Sequence, residues 1–274
     1  MQVASAVAAA RERLAVLPRP VGFVPTMGAL HAGHLRLVRT ARERCAAVAV
    51  SVFVNPMQFG PGEDFERYPR DYEGDREKLR AAGIDVLFAP DTQTMYPPGF
   101  STSVDVGEMA TRYEGAVRPT HFRGVATIVT KLLNVIRPDV LFLGQKDAQQ
   151  TAVVRKLVRD LDFDVGVEIV PTVREEDGLA LSSRNVYLNA QERSAAPSLQ
   201  RALQAMLQEL RDGKDAADAR AHAMELLLPP GRWDYLDLVD MAGFAPQERL
   251  LPPAFLIGAA RFGDTRLIDN VMVQ

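Results

Sequence analysis

Between residues 21 and 173 the sequence alternates short β-branched apolar runs with helical segments, and that alternation leaves few folds open. Val21–Val24 is an apolar run closed by Pro25. His31–Arg44 then reads as a helix, with Leu35, Val38, Ala41 and Cys45 on one face at spacings of three and four. Ala46–Val54 is a second apolar run, ended by Asn55-Pro56, of the kind that suits a strand buried on both faces. Asp71–Ala82 is helical, Gly83 is its expected C-terminal cap, and Ile84–Phe88 is the next strand. Phe122–Ile136 carries Val125, Ile128, Leu132 and Ile136 in helical phase. Pro138 ends that helix and Val140–Leu143 is a strand. A helix over Asp147–Leu161 and a strand over Val165–Val173 complete the series.

Such alternation predicts an α/β fold: a Rossmann-like parallel sheet flanked by helices, with right-handed crossovers. Sheets of this type bind ligands outside the C-terminal ends of their strands, so the chemistry is expected in the loops found there. After residue 173 the pattern changes. Ala190–Arg211 and Asp215–Leu228 read as helices, broken by Pro229-Pro230-Gly231. Trp233–Val239, Phe255–Phe262 and Thr265–Val273 read as strands, the last two joined as a hairpin at Gly263-Asp264. Two domains are therefore expected, a Rossmann-like one over 1–173 and a smaller C-terminal α+β lid over 174–274. The irregular stretch Asp91–Arg118 is expected to hold an edge strand, Thr102–Val106, able to serve a subunit interface.

A net charge of −3 and a pI near 5.9 supply no global field toward nucleic acid or an anionic membrane. An anionic substrate must then be drawn by a local basic cluster. The single cysteine, Cys45, cannot form an internal disulfide and reads as a small buried hydrophobe. Met1–Leu17 lacks the layout of a secretory signal, and no apolar run approaches the ~20 residues of a membrane span. The expected location is the cytoplasm.

Four loops carry groups suited to chemistry. Pro25–His34 joins the first strand to the first helix. Gly28 and Gly33 let backbone approach a ligand, and the N–H groups at the helix start favour an anion. His31 and His34 project from this region. Two solvated histidines on a turn are the plain alternative, and a metal pair is disfavoured by the lack of a third ligand nearby. Phe53–Gly60 follows the second strand; Gln58 offers an uncharged donor and acceptor between Met57 and Phe59, although a simple proline turn is equally consistent. Gly144–Gln150 follows Val140–Leu143. Lys146 can meet a phosphate, Asp147 can cap a helix or bind ribose hydroxyls, and Gln150 can face a second substrate. Val173–Asn185 offers Ser182, Ser183 and Arg184, either as a polar linker or as part of a lid over a nucleotide.

Taken in order and spacing, and with His121-Phe122-Arg123-Gly124-Val125, these loops resemble those of the pantothenate synthetases over nearly the whole chain. The His-x-Gly-His piece is shared with other adenylyl transferases; Asn-Pro-Met-Gln-Phe and Gly-Gln-Lys-Asp are more specific to the family. The resemblance implies ATP-dependent ligation of pantoate and β-alanine through a pantoyl-adenylate, releasing AMP and pyrophosphate. It implies that Met27, Gly28, Ala29, Leu30, His31, Ala32, Gly33 and His34 bind ATP, with His34 as proton donor or charge stabiliser. Gly144, Gln145, Lys146, Asp147, Val173, Leu181, Ser182, Ser183 and Arg184 would complete the nucleotide site. Gln58 and Gln150 would hold pantoate, with Gln58 also beside β-alanine. The expected catalytic set is His31, His34, Lys146 and Arg184, neutralising charge on the phosphates. The family is usually a homodimer and uses Mg²⁺ held largely by ATP. No protein ligand to the metal is assigned, Asp71 and Asp75 being explained as well by a solvated helix face. The alternatives are a nucleotidyltransferase of the same superfamily that keeps AMP on its product, and a non-catalytic ATP-sensing module.

Overall fold

Six short strands pair into one parallel sheet, and its inner members Val21–Thr26, Ala47–Val52 and Val86–Phe88 are buried along nearly their whole length, which leaves them no solvated face. In the computed structural model, which describes residues 1–274, this sheet belongs to a unit made of Met1–Gly144 and Val153–Val170. Its elements are β1 (Gln2–Ala4), α1 (Val7–Ala15), β2 (Val21–Thr26), α2 (Ala32–Arg44), β3 (Ala47–Val52), α3 (Tyr72–Ala81), β4 (Val86–Phe88), α4 (Thr92–Met95), α5 (Glu114–Val117), α6 (His121–Ile136), β5 (Val140–Gly144), α7 (Ala148–Asp160) and β6 (Gly166–Val170). Part of α7, from Val153 onward, lies in this unit.

The strand order is β1-β4-β3-β2-β5-β6, and every pairing is parallel. From β2 the chain steps outward through β3 to β4, then returns to lay β5 and β6 on the other side of β2. The switch point therefore lies between β2 and β5. These two strands share a ladder only at Gly22↔Val140 and Phe23↔Leu141, so their C-terminal ends leave a crevice. Val24, Val48, Val50, Leu87 and Phe142 are completely buried around this centre. Each such side chain contributes roughly 2 kcal/mol by leaving water. Gly22 is required by packing: a Cβ there would sit 3.0 Å from Cys45 Sγ and from Phe142 Cε2. Burial also raises the pKa of the Cys45 thiol, which behaves as the small core hydrophobe expected.

Several expectations are corrected. The buried face of α2 runs through Leu37, Val38 and Ala41, while Leu35 is only half-buried. Thr102–Val106 forms no strand; Val104 N–H donates to the Thr127 hydroxyl (3.0 Å) instead of to a neighbouring ladder. The N-terminal residues, unassigned from sequence, form β1 on β4 and the helix α1.

The second unit comprises Gln145–Ala152 and Pro171–Gln274. It contains α8 (Ala190–Ala195), α9 (Ser198–Arg211), α10 (Ala216–Glu225) and an antiparallel sheet β7-β8-β9 (Gly231–Asp240, Ala254–Phe262, Thr265–Val273). The single long helix expected over Ala190–Arg211 is two, because Pro197 has no N–H to continue the first. Leu203, Met206 and Leu210 of α9 pack with Leu236 and Leu256 of the sheet. Phe262↔Thr265 closes the expected β8–β9 hairpin around Gly263-Asp264, with Gly263 at φ +58°. No helix is long and apolar enough to cross a membrane.

Candidate functional site

The loop leaving β2 is held from below by a buried carboxylate. Asp75, on α3, accepts hydrogen bonds from Ala29 N–H (2.8 Å) and Leu30 N–H (2.7 Å). Lys78 Nζ lies 3.7 Å from the same carboxylate. The turn needs left-handed backbone at Gly28 (φ +89°) and Ala29 (φ +50°). A Cβ on Gly28 would also press on Asp75 Oδ2 at 3.0 Å and Val52 Cγ1 at 3.2 Å. Asp75 is therefore a strut of the loop rather than part of a solvated face. Asp71 is likewise engaged, accepting from Gly74 N–H at 3.1 Å as the N-cap of α3.

His31 and His34 cap α2 reciprocally. Gly33 N–H donates to His31 Nδ1 (3.1 Å) and His31 N–H donates to His34 Nδ1 (3.3 Å). A backbone N–H can only donate, so each Nδ1 carries a lone pair and each neutral ring bears its proton on Nε2. The rings lie 4.1 Å apart between centroids, at 41°. At the positive end of a helix, two neighbouring imidazoles with Nε2–H donors suit a polyanion.

Gln58 lies in the turn Pro56–Gln58 that follows β3, and it is buried. Its main-chain oxygen accepts from Arg118 Nη2 (3.1 Å) and faces His121 Nδ1 (3.0 Å). A carbonyl only accepts, so His121 carries its proton on Nδ1. Its Nε2 then faces Arg118 Nη1 at 3.5 Å. Burial, reinforced by this guanidinium, pushes the His121 pKa down to about 4. Arg118, at the C-terminal end of α5, in turn pairs with Glu63, so it and His121 at the start of α6 together anchor the segment around Gln58.

In the second unit, Asn270 of β9 holds the loop that carries Lys146. Its Nδ2 donates to the Gln145 and Lys146 carbonyls (2.9 and 2.8 Å), and its Oδ1 accepts from Gln145 Nε2 (3.1 Å). Arg174 forms a bidentate pair with the buried Asp269 (2.6 and 2.9 Å). Lys146, Ala180, Ser182 and Asp269 line a shallow cleft of this unit. Leu181 N–H bonds Val173 O (3.0 Å), bringing those two candidates together, and Ser182 Oγ accepts from Arg184 N–H (3.2 Å). Ser183 and Arg184 open a short 3-10 turn, and Gln150 lies in the first turn of α7, half-buried.

Met27–His34, Gln58 and Gly144 thus belong to the first unit, and Gln145, Lys146, Asp147, Gln150, Val173 and Leu181–Arg184 to the second. Sequence reasoning missed the supporting roles of Asp75, Arg118, His121 and Asn270. Only His121 had a local signal, in its motif; Asn270 lies 125 residues from Gln145. No group of three or more His, Cys, Asp or Glu that could hold a metal ion is present.

Comparison with known proteins converges on one family. Residues 2–272 match the family model described as pantoate-beta-alanine ligase. A pantothenate synthetase of Thermus thermophilus is 53% identical over 277 residues, covering 100% of this chain and 99% of the relative. One from Rhizorhabdus wittichii is 52% identical over 96% of this chain and 94% of its own length. The crystal structure of pantothenate synthetase from Thermus thermophilus superposes with a TM-score of 0.94, at 52% identity and 99% coverage of both chains. A pantoate-beta-alanine ligase from Francisella tularensis, solved in complex with beta-gamma ATP and beta-alanine, gives a TM-score of 0.80 at 32% identity, covering 99% of this chain and 97% of its own.

Proposed function

The chain belongs to the pantoate–β-alanine ligase family and forms pantothenate from pantoate, β-alanine and ATP, and we propose that it does so through a pantoyl-adenylate. A carboxylate does not condense with an amine in neutral water, because its oxygen is a poor leaving group. In the first step a pantoate carboxylate oxygen attacks the α-phosphorus of ATP in line, the bond to the β-phosphate breaks, and pyrophosphate departs. In the second the neutral amine of β-alanine attacks the acyl carbon, AMP leaves and the nitrogen loses its proton. Neither step requires a nucleophile from the protein.

The residues assigned to these steps act by position and charge. Met27–His34 receive the nucleotide at the start of α2, with Gly144–Asp147, Val173 and Leu181–Arg184 completing the site. His31 and His34 direct Nε2–H donors at phosphate oxygens, His34 acting as a charge stabiliser. Lys146 and Arg184 neutralise charge that grows as pyrophosphate leaves. Gln58 and Gln150 hold pantoate, with Gln58 also beside β-alanine. Mg²⁺ is held largely by the ATP phosphates. Residues 174–274 act as a lid that keeps water from the adenylate. The protein works as a cytoplasmic homodimer.

The observation that carries this reading is the reciprocal capping of α2 by two histidines, which fixes a pair of Nε2–H donors at the start of the helix that follows β2, where parallel sheets of this type bind phosphate. An AMP assay with each substrate omitted in turn tests the reaction. AMP should appear only with all three substrates, while pantoate alone should drive exchange of labelled pyrophosphate into ATP. AMP retained on the product, or exchange indifferent to pantoate, would refute the adenylate route.

A further inference from the structure

Two backbone groups fix which way the Asn55 amide points. Met57 N–H, which can only donate, lies 3.3 Å from Asn55 Oδ1. Gly124 O, which can only accept, lies 3.1 Å from Asn55 Nδ2. Asn55 therefore offers its NH₂ to Gln58, whose Oε1 is 2.9 Å away. With Oε1 so occupied, the Gln58 amide cannot rotate without setting two NH₂ groups against each other. Its Nε2 must point away from Asn55.

The last member of the relay is Tyr96, just beyond α4, whose hydroxyl donates to Asn55 Oδ1 at 2.7 Å. Its ring is held by Phe53 and Phe100, at centroid distances of 6.2 and 5.0 Å. Lys131 Nζ also lies 5.8 Å from the ring centroid. Burial raises the Tyr96 pKa further above the usual phenol value, which keeps it a proton donor.

We propose that Tyr96 is a positioning residue which, through Asn55, aims the Gln58 NH₂ at pantoate, so that this subsite selects a group that accepts hydrogen bonds, a carboxylate or hydroxyl oxygen. The proposal rests on the assignment of Gln58 to pantoate. It places the specificity of the subsite in a chain of hydrogen-bond polarity that begins at a residue 38 positions away in sequence from Gln58.

The test is a double-mutant cycle on the full-length protein: wild type, Tyr96→Phe, Gln58→Ala and the double variant, each with steady-state kinetics for pantoate and for ATP. Tyr96→Phe removes one hydrogen bond and should raise KM for pantoate about fivefold to tenfold, leaving kcat and KM for ATP within about twofold. In the Gln58→Ala background it should have no further effect. A purely structural role would move both KM values together, or would add to Gln58→Ala, and either result overturns the proposal. If Gln58→Ala raises KM for pantoate and Tyr96→Phe does not, the relay fails while the Gln58 assignment survives. If Gln58→Ala itself leaves that KM unchanged, the assignment fails and the relay with it. Should Tyr96→Phe not fold, Asn55→Asp decides the matter. Its carboxylate turns the Gln58 NH₂ inward and presents Oε1 to the substrate, so KM for pantoate should rise by about thirtyfold or more, with KM for ATP held. An unchanged pantoate KM in Asn55→Asp would overturn the relay.

Discussion

His121 enters the fold neutral, and that has a pH signature. Its pKa is about 4 in the native protein and near 6.5 when unfolded, so below pH 6.5 the unfolded chain binds a proton that the native one refuses. Its contribution to stability is therefore complete above about pH 6.5 and is lost as pH falls toward 4, by up to about 3 kcal/mol. Urea unfolding at pH 7.0 and 4.5 should show this loss, and His121→Gln should flatten it. The roles proposed for Lys146 and His34 bear on rate instead. Lys146→Ala and His34→Ala should each slow pyrophosphate exchange by about a hundredfold to a thousandfold while circular dichroism stays native, the cost of removing one pre-aimed donor. These candidates were legible because polar groups in short glycine-marked loops after strands stand out from the apolar runs around them. Asp75 was not, because it sits among Glu73, Arg76 and Glu77 on what reads as an ordinary charged helix. Only the fold shows that its carboxylate turns inward onto Ala29 and Leu30.

The contact between α6 and the Pro56–Gln58 turn depends on a missing side chain. A Cβ on Gly124 would collide with the Met57 carbonyl group and would lie 2.7 Å from Gln58 N. Gly124→Ala must push the helix or the turn away, and backbone atoms yield less readily than a flexible side chain. The expected cost is about 1–3 kcal/mol of stability, with a raised KM for pantoate, checked by thermal melts and kinetics on one preparation. At this scale the sequence spoke clearly wherever apolar periodicity was long. Phe122–Ile136 and Val140–Leu143 were placed to within a residue. It misled where periodicity was short or interrupted. Gln2–Ala4 offers only three residues to a pattern that needs more, and its place beside β4 is a long-range pairing. Thr102–Val106 has β-branched residues at alternate positions, yet its backbone finds the Thr127 side chain rather than a strand. In Ala190–Arg211 the apolar phase runs on past Pro197, but the backbone hydrogen bonding does not.

The residues assigned to one nucleotide are divided between two units of the chain, and the lid boundary drawn at residue 174 leaves Lys146 out of the second. Asn270 explains why the Gln145–Asp147 loop belongs with the C-terminal sheet: two of the loop's carbonyls are bonded to β9. If a single triphosphate engages both units, binding must stabilise both, since any ligand that binds only the native site raises the free energy of every opening that destroys it. Hydrogen exchange with a non-hydrolysable ATP analogue and pantoate tests this directly. At an analogue concentration about a hundred times Kd, openings that abolish the site become about 2.7 kcal/mol more costly, which slows exchange through them about a hundredfold. Met27–His34 on the first unit and both Gln145–Asp147 and Leu181–Arg184 on the second should be slowed together, whereas the exposed end of α10 should be unaffected. Slowing confined to Met27–His34 would mean that the second unit does not bind the phosphates, and Lys146 and Arg184 would lose the charge-stabilising role assigned to them.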